Sequence, residues 1–280
     1  MNVNIGIVLI YSKHFRRIIG TEPNQNLLWS KMEYYNREIA VSYGKIKLGT
    51  AGKLSLVGLK ELYPSYPKDP QSWKDYTEDW AEKEWTHKSP NIVTLNQIHG
   101  DSIHQVSTDS LGEEAKSNFI WEGDGLYTEL PNQLLVVRTA DCVPVFLYST
   151  KRPFVAIIHS GWKGANLGIT ERMLERAIDI GYAQDELYME IGPYIQGSDY
   201  EVGIDVANFF SELGEEVCFP KGNEKFLLDV GLAIEKRVKE KFPSLGGIKN
   251  SHINVYKSPL YFSHRTKEEG RNLNFILWES

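Results

Sequence analysis

The chain has only two cysteines, Cys142 and Cys218, among its 280 residues. Two thiols cannot build a disulfide framework, and a chain of this length does not need one to hold a core. A reducing, cytoplasmic setting is the expectation that follows. Long apolar runs are scarce as well. The N-terminal "IGIVLIY" is seven residues with no basic segment before it. That is too short for a membrane span and wrongly built for a signal peptide, so it reads as a strand. A basic excess is missing: the net charge is -6. This argues against nucleic acid or an anionic membrane as partner, while leaving a small anionic ligand open because local charge can oppose the global balance. The chain shows no internal repeat and no low-complexity linker. Its 41% hydrophobic and 24% charged residues are those of an ordinary globular protein. One domain over residues 1–280 is expected.

One compositional shift stands out. Residues 61–90, "ELYPSYPKDPQSWKDYTEDWAEKEWTHKSP", mix prolines, aromatics and charges without a clean period of 2 or 3.6. They read as an insertion with a short helix near Thr77–Trp85, or as a lid whose aromatics cover a ligand. Beyond this segment the pattern is regular. "NIVTLNQIHG", "QLLVVRT", "VPVFLYS", "FVAIIHS" and "LYMEIGP" read as strands from their β-branched and aromatic content. "GANLGITERMLERAIDIG" has helical spacing with Gly181 as the residue after the C-cap. "VGIDVANFFSELG" and "DVGLAIEKRVKEKF" read as amphipathic helices, the second opened by Asp229 as N-cap. "INVYKSPLYFSHR" and "LNFILW" read as closing strands. Adjacent strands without strict βαβ alternation predict an α+β fold.

Three chemically active residues stand at the ends of these strands: His99 in "NQIHGD", Cys142 in "TADC" and His159 in "IHSGW". Strand ends on a common rim let a scaffold aim side chains at one point. One Cys and two His would make a three-ligand zinc site with an open fourth position; the same trio could be a nucleophilic cysteine activated by a histidine. Spacing does not decide, because there is no CxxC pair and no HExxH helix, and isolated Cys and His are often core residues. "HSGWKG" adds Gly161 and Gly164 before a helix, with Lys163 beside them. That is an anion site by the logic of free N–H groups at a positive helix end, or simply a tight strand-to-helix turn. In "IGPYIQGSDYEVG", Tyr194 and Tyr200 are candidate base-stacking surfaces. "FSHRTKEEGR" carries Arg265 and Arg271, phosphate ligands or surface charges. Cys218 reads as structural.

Taken together, these segments resemble the YfiH family, also described as multicopper polyphenol oxidase or laccase-domain proteins. "NQIHG" is similar to its QVHG motif, "GDGLYT" to DALVT, "TADCVPV" to TADCxP and "HSGWKG" to HAGWRG. "IGPYIQGSDYEVG" resembles LGPxIGxxxYEVG, and "FSHRTKEEGR" resembles SYRRDGxTGR. The six motifs occur in the family's order over about residues 91–278. The resemblance implies a four-layer α/β/β/α sandwich, and a metal held by His99, Cys142 and His159. It implies a purine nucleoside phosphorylase that also deaminates adenosine and cleaves 5′-methylthioadenosine, with nucleoside and phosphate as small-molecule partners. Zinc is the expected metal rather than copper, since one Cys and two His do not supply the several centres of a multicopper oxidase. Lys163, Arg265, Arg271 and the Gly161–Gly164 backbone are the phosphate candidates. Asp124 and Asp141 would orient a ligand or a metal-bound histidine.

The N-terminal third departs from the family. "GKIKLGTAGKLS", at Gly44–Ser55, is a loose echo of the family's TRxGGVS segment, and the one Asn-Arg pair, Asn36–Arg37, lies too early in the chain. An arginine that serves the family's site has no counterpart here. Two other readings therefore stand beside the first: a cysteine hydrolase or deamidase using Cys142 with His159, and a non-catalytic zinc-binding protein.

Overall fold

The strands that carry the chemistry are apolar along their whole length. In the computed structural model, which describes residues 34–56, 70–84, 90–111 and 121–280, every residue of Val143–Ser149 and Val155–Ser160 is buried. Strands without a solvent face belong in the middle of a sheet covered on both sides. The N-terminal "IGIVLIY" and, within the 61–90 segment, residues 61–69 and 85–89 lie outside the described residues.

In chain order the elements are β1 (Asn36–Val41), β2 (Gly44–Ala51), α1 (Pro70–Glu84), β3 (Asn91–Val93), β4 (Ile103–Val106), β5 (Gly125–Thr128), β6 (Gln133–Thr139), β7 (Val143–Ser149) and β8 (Val155–Ser160). Then come α2 (Trp162–Asn166), α3 (Ile169–Asp179), β9 (Leu187–Ile191), β10 (Glu201–Gly203), α4 (Ile204–Ala207), β11 (Cys218–Gly222), β12 (Lys225–Leu228), α5 (Val230–Lys241), β13 (Gly247–Asn250) and β14 (Asn272–Glu279). A five-stranded sheet has the order β1-β2-β14-β6-β3, and a six-stranded sheet the order β13-β9-β7-β8-β5-β4. A small third sheet, β10-β12-β11, sits apart from both orders.

The two large sheets share one core. Ile46, Leu48, Val137 and Ile276 from the first pack with Phe146, Tyr148, Val155 and Ile157 from the second. On the outer face of the first, Trp73, Tyr76 and Trp80 of α1 lie against Leu134, Val136 and Phe275. On the outer face of the second, Ile169, Met173 and Leu174 of α3 and Ile234 and Val238 of α5 lie against Val145, Leu147, Ile158 and Met189. The order helix, sheet, sheet, helix is the four-layer α+β sandwich expected from the resemblance.

Local elements depart from expectation where tertiary contacts claim the chain. α1 begins at Pro70 rather than near Thr77, because its two tryptophans are needed on the sheet. β3 ends at Val93, so His99 stands in a turn beyond the strand. The helix expected from "VGIDVANFFSELG" is broken into an α turn at Ile204–Ala207 and a 3-10 turn at Ser211–Leu213, since β10 and β11 take its flanks into the small sheet and Gly214, at φ 100, ends the second turn. The expected strand "INVYKSPLYFSHR" is a loop: Lys257 has positive φ, as does His252 just before the segment, and Ser258 turns the chain through its bonds to Leu260 and Tyr261 N–H. Asp229 caps α5 as expected, accepting from Leu232 N at 2.8 Å. Among the described residues no helix is long and apolar enough to cross a membrane.

Candidate metal centre and the adjoining pocket

Strand register brings the three residues together. β7 and β8 are antiparallel with Val143 opposite Ser160 and Pro144 opposite His159, so Cys142, one residue before β7, stands beside the end of β8. β5 flanks β8 on its other side with Gly125 opposite Ile158, which places Asp124 next to His159. The His159 N–H donates to the Asp124 carbonyl at 2.7 Å, and its Nδ1 pairs with Asp124 Oδ1 at 2.7 Å. The same carboxylate accepts from the backbone N–H of His99 at 3.1 Å and of Gly100 at 2.7 Å. One fully buried aspartate thus orients one histidine by its ring and the other by its main chain. His99 takes the left-handed region, φ 58, to meet that carboxylate.

The ligand atoms of His99, Cys142 and His159 all lie within 4.8 Å of one another. The two imidazoles meet edge to face, centroids 4.7 Å apart. With Nδ1 of His159 bonded to Asp124, Nε2 is left for the cluster, the usual arrangement of a metal-binding histidine backed by a carboxylate. Gly161 closes one side: a Cβ there would lie 3.1 Å from Cys142 Sγ and 3.4 Å from a ring carbon of His99. Burial alone would raise the Cys142 thiol, but the charge and hydrogen bonds of His159 and His99 outweigh it and bring it down to about 6. His159 is lifted to about 9, because the Cys142 thiolate and Asp124 overcome the burial that opposes its charge. Both shifts run in the direction of a thiolate and an imidazolium in the metal-free pair.

The other sequence candidates fall in distinct places. Gly164 lies inside α2, where a Cβ would meet the Gly100 carbonyl at 3.1 Å, so its smallness admits the His99 turn. α2 is five residues long and breaks before Gly168, at φ 72. The exposed Lys163 side chain lies over Trp162, its Nζ 5.6 Å from the ring centroid. Arg265 donates both guanidinium nitrogens to the Glu201 carbonyl, at 3.1 and 3.0 Å, and stacks on Tyr200 at 5.0 Å. Arg271 bonds the carbonyls of Glu269 and Gly270 within its own loop. Asp141 accepts from Ser263 Oγ and Arg265 N. Tyr194 is buried in the core with its hydroxyl on Asp229, which leaves no face for a base. Tyr200 is half-buried; burial and the nearby Cys142 push its hydroxyl up to about 12, so it remains a donor. Cys218 is buried, its Sγ 3.9 Å from the Ala207 carbonyl.

A cavity beside Arg265 is lined by residues that the sequence did not single out. Ser198, Asp199, Glu201, Lys221, Leu227 and Tyr256 line, with Arg265, a cavity of about 260 Å³. They come from four separated stretches, and no spacing rule joins them. Arg37, half of the early Asn-Arg pair, is bonded to the buried Glu190, which also accepts from Tyr35 at 2.6 Å and Tyr148 at 2.9 Å.

Residues 69–279 match the family described as multi-copper polyphenol oxidoreductase laccase. The chain belongs to that family. The matched stretch starts just before α1 and so includes it. Among relatives, a purine nucleoside phosphorylase of Deinococcus radiodurans is 36% identical over 134 residues, 47% of this chain and 49% of that protein. The chain thus spans about half the length of that relative. A purine nucleoside phosphorylase of Staphylococcus epidermidis is 29% identical over 221 residues, 75% of this chain and 74% of that protein. The crystal structure of the Bacillus licheniformis hypothetical protein YfiH superposes with a TM-score of 0.70 at 25% identity, covering 85% of this chain and 93% of that one. YlmD from Geobacillus stearothermophilus, at 23% identity and a TM-score of 0.69, shares the fold.

The family's description speaks of several coppers. Among the described residues, His99, Cys142 and His159 form the one group of three or more His, Cys, Asp or Glu side chains that could share an ion. One thiolate and two imidazoles suit a single zinc or copper ion. They do not make a multicopper cluster.

Proposed function

We propose that this chain is a purine nucleoside enzyme. It phosphorolyses adenosine, inosine or 5′-methylthioadenosine, with deamination of adenosine as a second reaction of the same site, and it holds zinc on His99, Cys142 and His159. The observation that carries this is the convergence of those three ligand atoms within 4.8 Å, with His159 backed by Asp124. The names of the phosphorylase relatives support the substrate class. A bound zinc supplies Lewis acidity to a group at its open position. The chain's own residues do the rest. Asp124 holds the proton on His159 Nδ1 and so keeps Nε2 directed at the cluster. Tyr200 offers an aromatic wall with a protonated hydroxyl. Arg265, Lys163 and Arg271 are the cations for phosphate. In phosphorolysis a phosphate oxygen bonds to ribose C1′ as the C1′–N9 bond breaks, and the electron pair leaves with the base, which takes up a proton. A cytoplasmic location goes with this reading.

A second reading is favoured by one specific observation. Cys142, His159 and Asp124 form a continuous thiolate–imidazolium–carboxylate chain, the arrangement of a cysteine hydrolase or deamidase. Zinc ligation and free-thiolate attack need the same sulfur, so metal content separates the two.

The test is liquid chromatography of products from adenosine, with and without phosphate, alongside metal analysis of the purified protein. Adenine formed only with phosphate, from protein holding one zinc per chain, is the expected result. Folded protein that yields neither adenine nor inosine rules out adenosine as substrate, and failure to release base from inosine and 5′-methylthioadenosine as well overturns the nucleoside reading. Metal-free protein that loses activity on alkylation of Cys142 favours the hydrolase.

A further inference from the structure

Asp141 has φ 91, a conformation that residues with a Cβ rarely adopt, and it immediately precedes Cys142. Its contacts explain why the backbone is held there. Oδ1 accepts from Ser263 Oγ at 2.6 Å, Oδ2 accepts from the Arg265 N–H at 2.7 Å, and the Asp141 carbonyl accepts from the Ile195 N–H at 3.0 Å. One residue therefore ties together the turn bearing Cys142, the loop leading to Tyr200 and the loop bearing Arg265. Both carboxylate oxygens are engaged within the protein.

The tie has an outer support. Ser263 is fully buried, and its N–H donates to Glu268 Oε2 at 2.9 Å. Glu268 Oε1 pairs with Lys53 at 2.5 Å, and Lys53 also donates to the Ser258 carbonyl at 2.8 Å. Arg265 is consequently fixed at both ends, its main chain by Asp141 and its guanidinium by the Glu201 carbonyl.

We infer that Asp141 is a positioning residue that couples the placement of Cys142 to that of Arg265, with the Lys53–Glu268 pair as its outer brace. This rests on the proposed roles of Cys142 as a metal ligand and Arg265 as a phosphate cation. It assigns Asp141 to neither ligand contact itself. Lys53 lies in Gly44–Ser55, the segment that loosely echoes the family's TRxGGVS motif, so that stretch supports the site through its pairing with Glu268.

The experiment compares Asp141→Asn, Ser263→Ala, Glu268→Gln and Arg265→Ala with wild type. Ser263→Ala removes one tie and keeps the measurement possible should Asp141→Asn fold poorly. Zinc affinity by chelator competition and hydrogen exchange of residues 258–271 are read independently of activity. For Asp141→Asn and Ser263→Ala, zinc affinity is expected to fall about 10-fold or more, the scale seen when groups supporting metal ligands are lost. Exchange across the loop should rise, and Glu268→Gln should raise exchange with a smaller loss of affinity. In phosphorolysis the phosphate KM should rise more than kcat falls, and Asp141→Asn added to Arg265→Ala should raise that KM no further than Arg265→Ala alone. Wild-type zinc affinity together with wild-type loop exchange in both Asp141→Asn and Ser263→Ala overturns the inference. If those two readouts shift while the wild-type protein shows no phosphorolysis, the nucleoside reading fails and the positioning role stands.

Discussion

A thiol whose neighbours are two imidazoles and a glycine is a different acid from one in solution. Cys142 is held down to about 6 and His159 up to about 9, so the metal-free protein carries an ion pair between those values. The sign follows from proton counts. Between about 6.5 and 8.5 the folded and unfolded chains each hold one proton on these two groups, so the pair's contribution to stability is flat. Below that window the unfolded histidine takes up a proton first, and the contribution is lost as pH falls through 6. Above it the unfolded thiol releases a proton first, and the contribution is lost as pH rises through 9. Absorbance at 240 nm of metal-free protein should therefore report a thiolate appearing with a midpoint near 6. In Asp124→Asn the histidine charge is less supported, so the midpoint should move upward toward the ordinary thiol range. A midpoint that stays above 8 in the wild type would contradict the ion pair.

Among the elements, the β1–β2 hairpin depends on one buried carboxylate. Glu190 of β9 lies on the inner face of its sheet and accepts from Tyr35, Arg37 and Tyr148. Tyr35 and Arg37 belong to the other sheet's edge, so Glu190 pins one sheet to the other. Removing it leaves an arginine and two phenol hydroxyls short of a partner. Glu190→Ala should destabilise the fold by about 2–3 kcal/mol, below the range for fully buried pairs because Arg37 is 31% exposed. Denaturant unfolding measures this, and a loss under about 1 kcal/mol would show that water replaces the carboxylate. The elements that periodicity located best are β6 to β9, α5 and β14, where burial on both faces or a capped amphipathic pattern dominates. It failed at Ile204–Leu213 and Ile253–Arg265, where side-chain hydrogen bonds and the small sheet override local preference.

For the whole molecule, the last strand is central. β14 runs between β2 and β6, with Ile276 and Trp278 facing the second sheet and Leu273, Phe275 and Leu277 facing α1. Deleting residues 272–280 should therefore abolish folding rather than shorten an edge, read as loss of cooperative unfolding by circular dichroism. A truncated protein that still unfolds near the wild-type temperature would refute that placement. Residue patterning by itself predicted an α+β fold and put His99, Cys142 and His159 at strand ends, because strand burial and turn residues are local properties of the chain. The four-layer order and a site shared by the three came with the motif resemblance. Only the tertiary structure decided that Asp124 serves both histidines, that Tyr194 is core while Tyr200 borders Cys142, and that Asp141 binds three loops. Those relations depend on strand register and on contacts between stretches more than 100 residues apart, such as Asp141 and Ser263. Residue spacing along the chain carries no record of them.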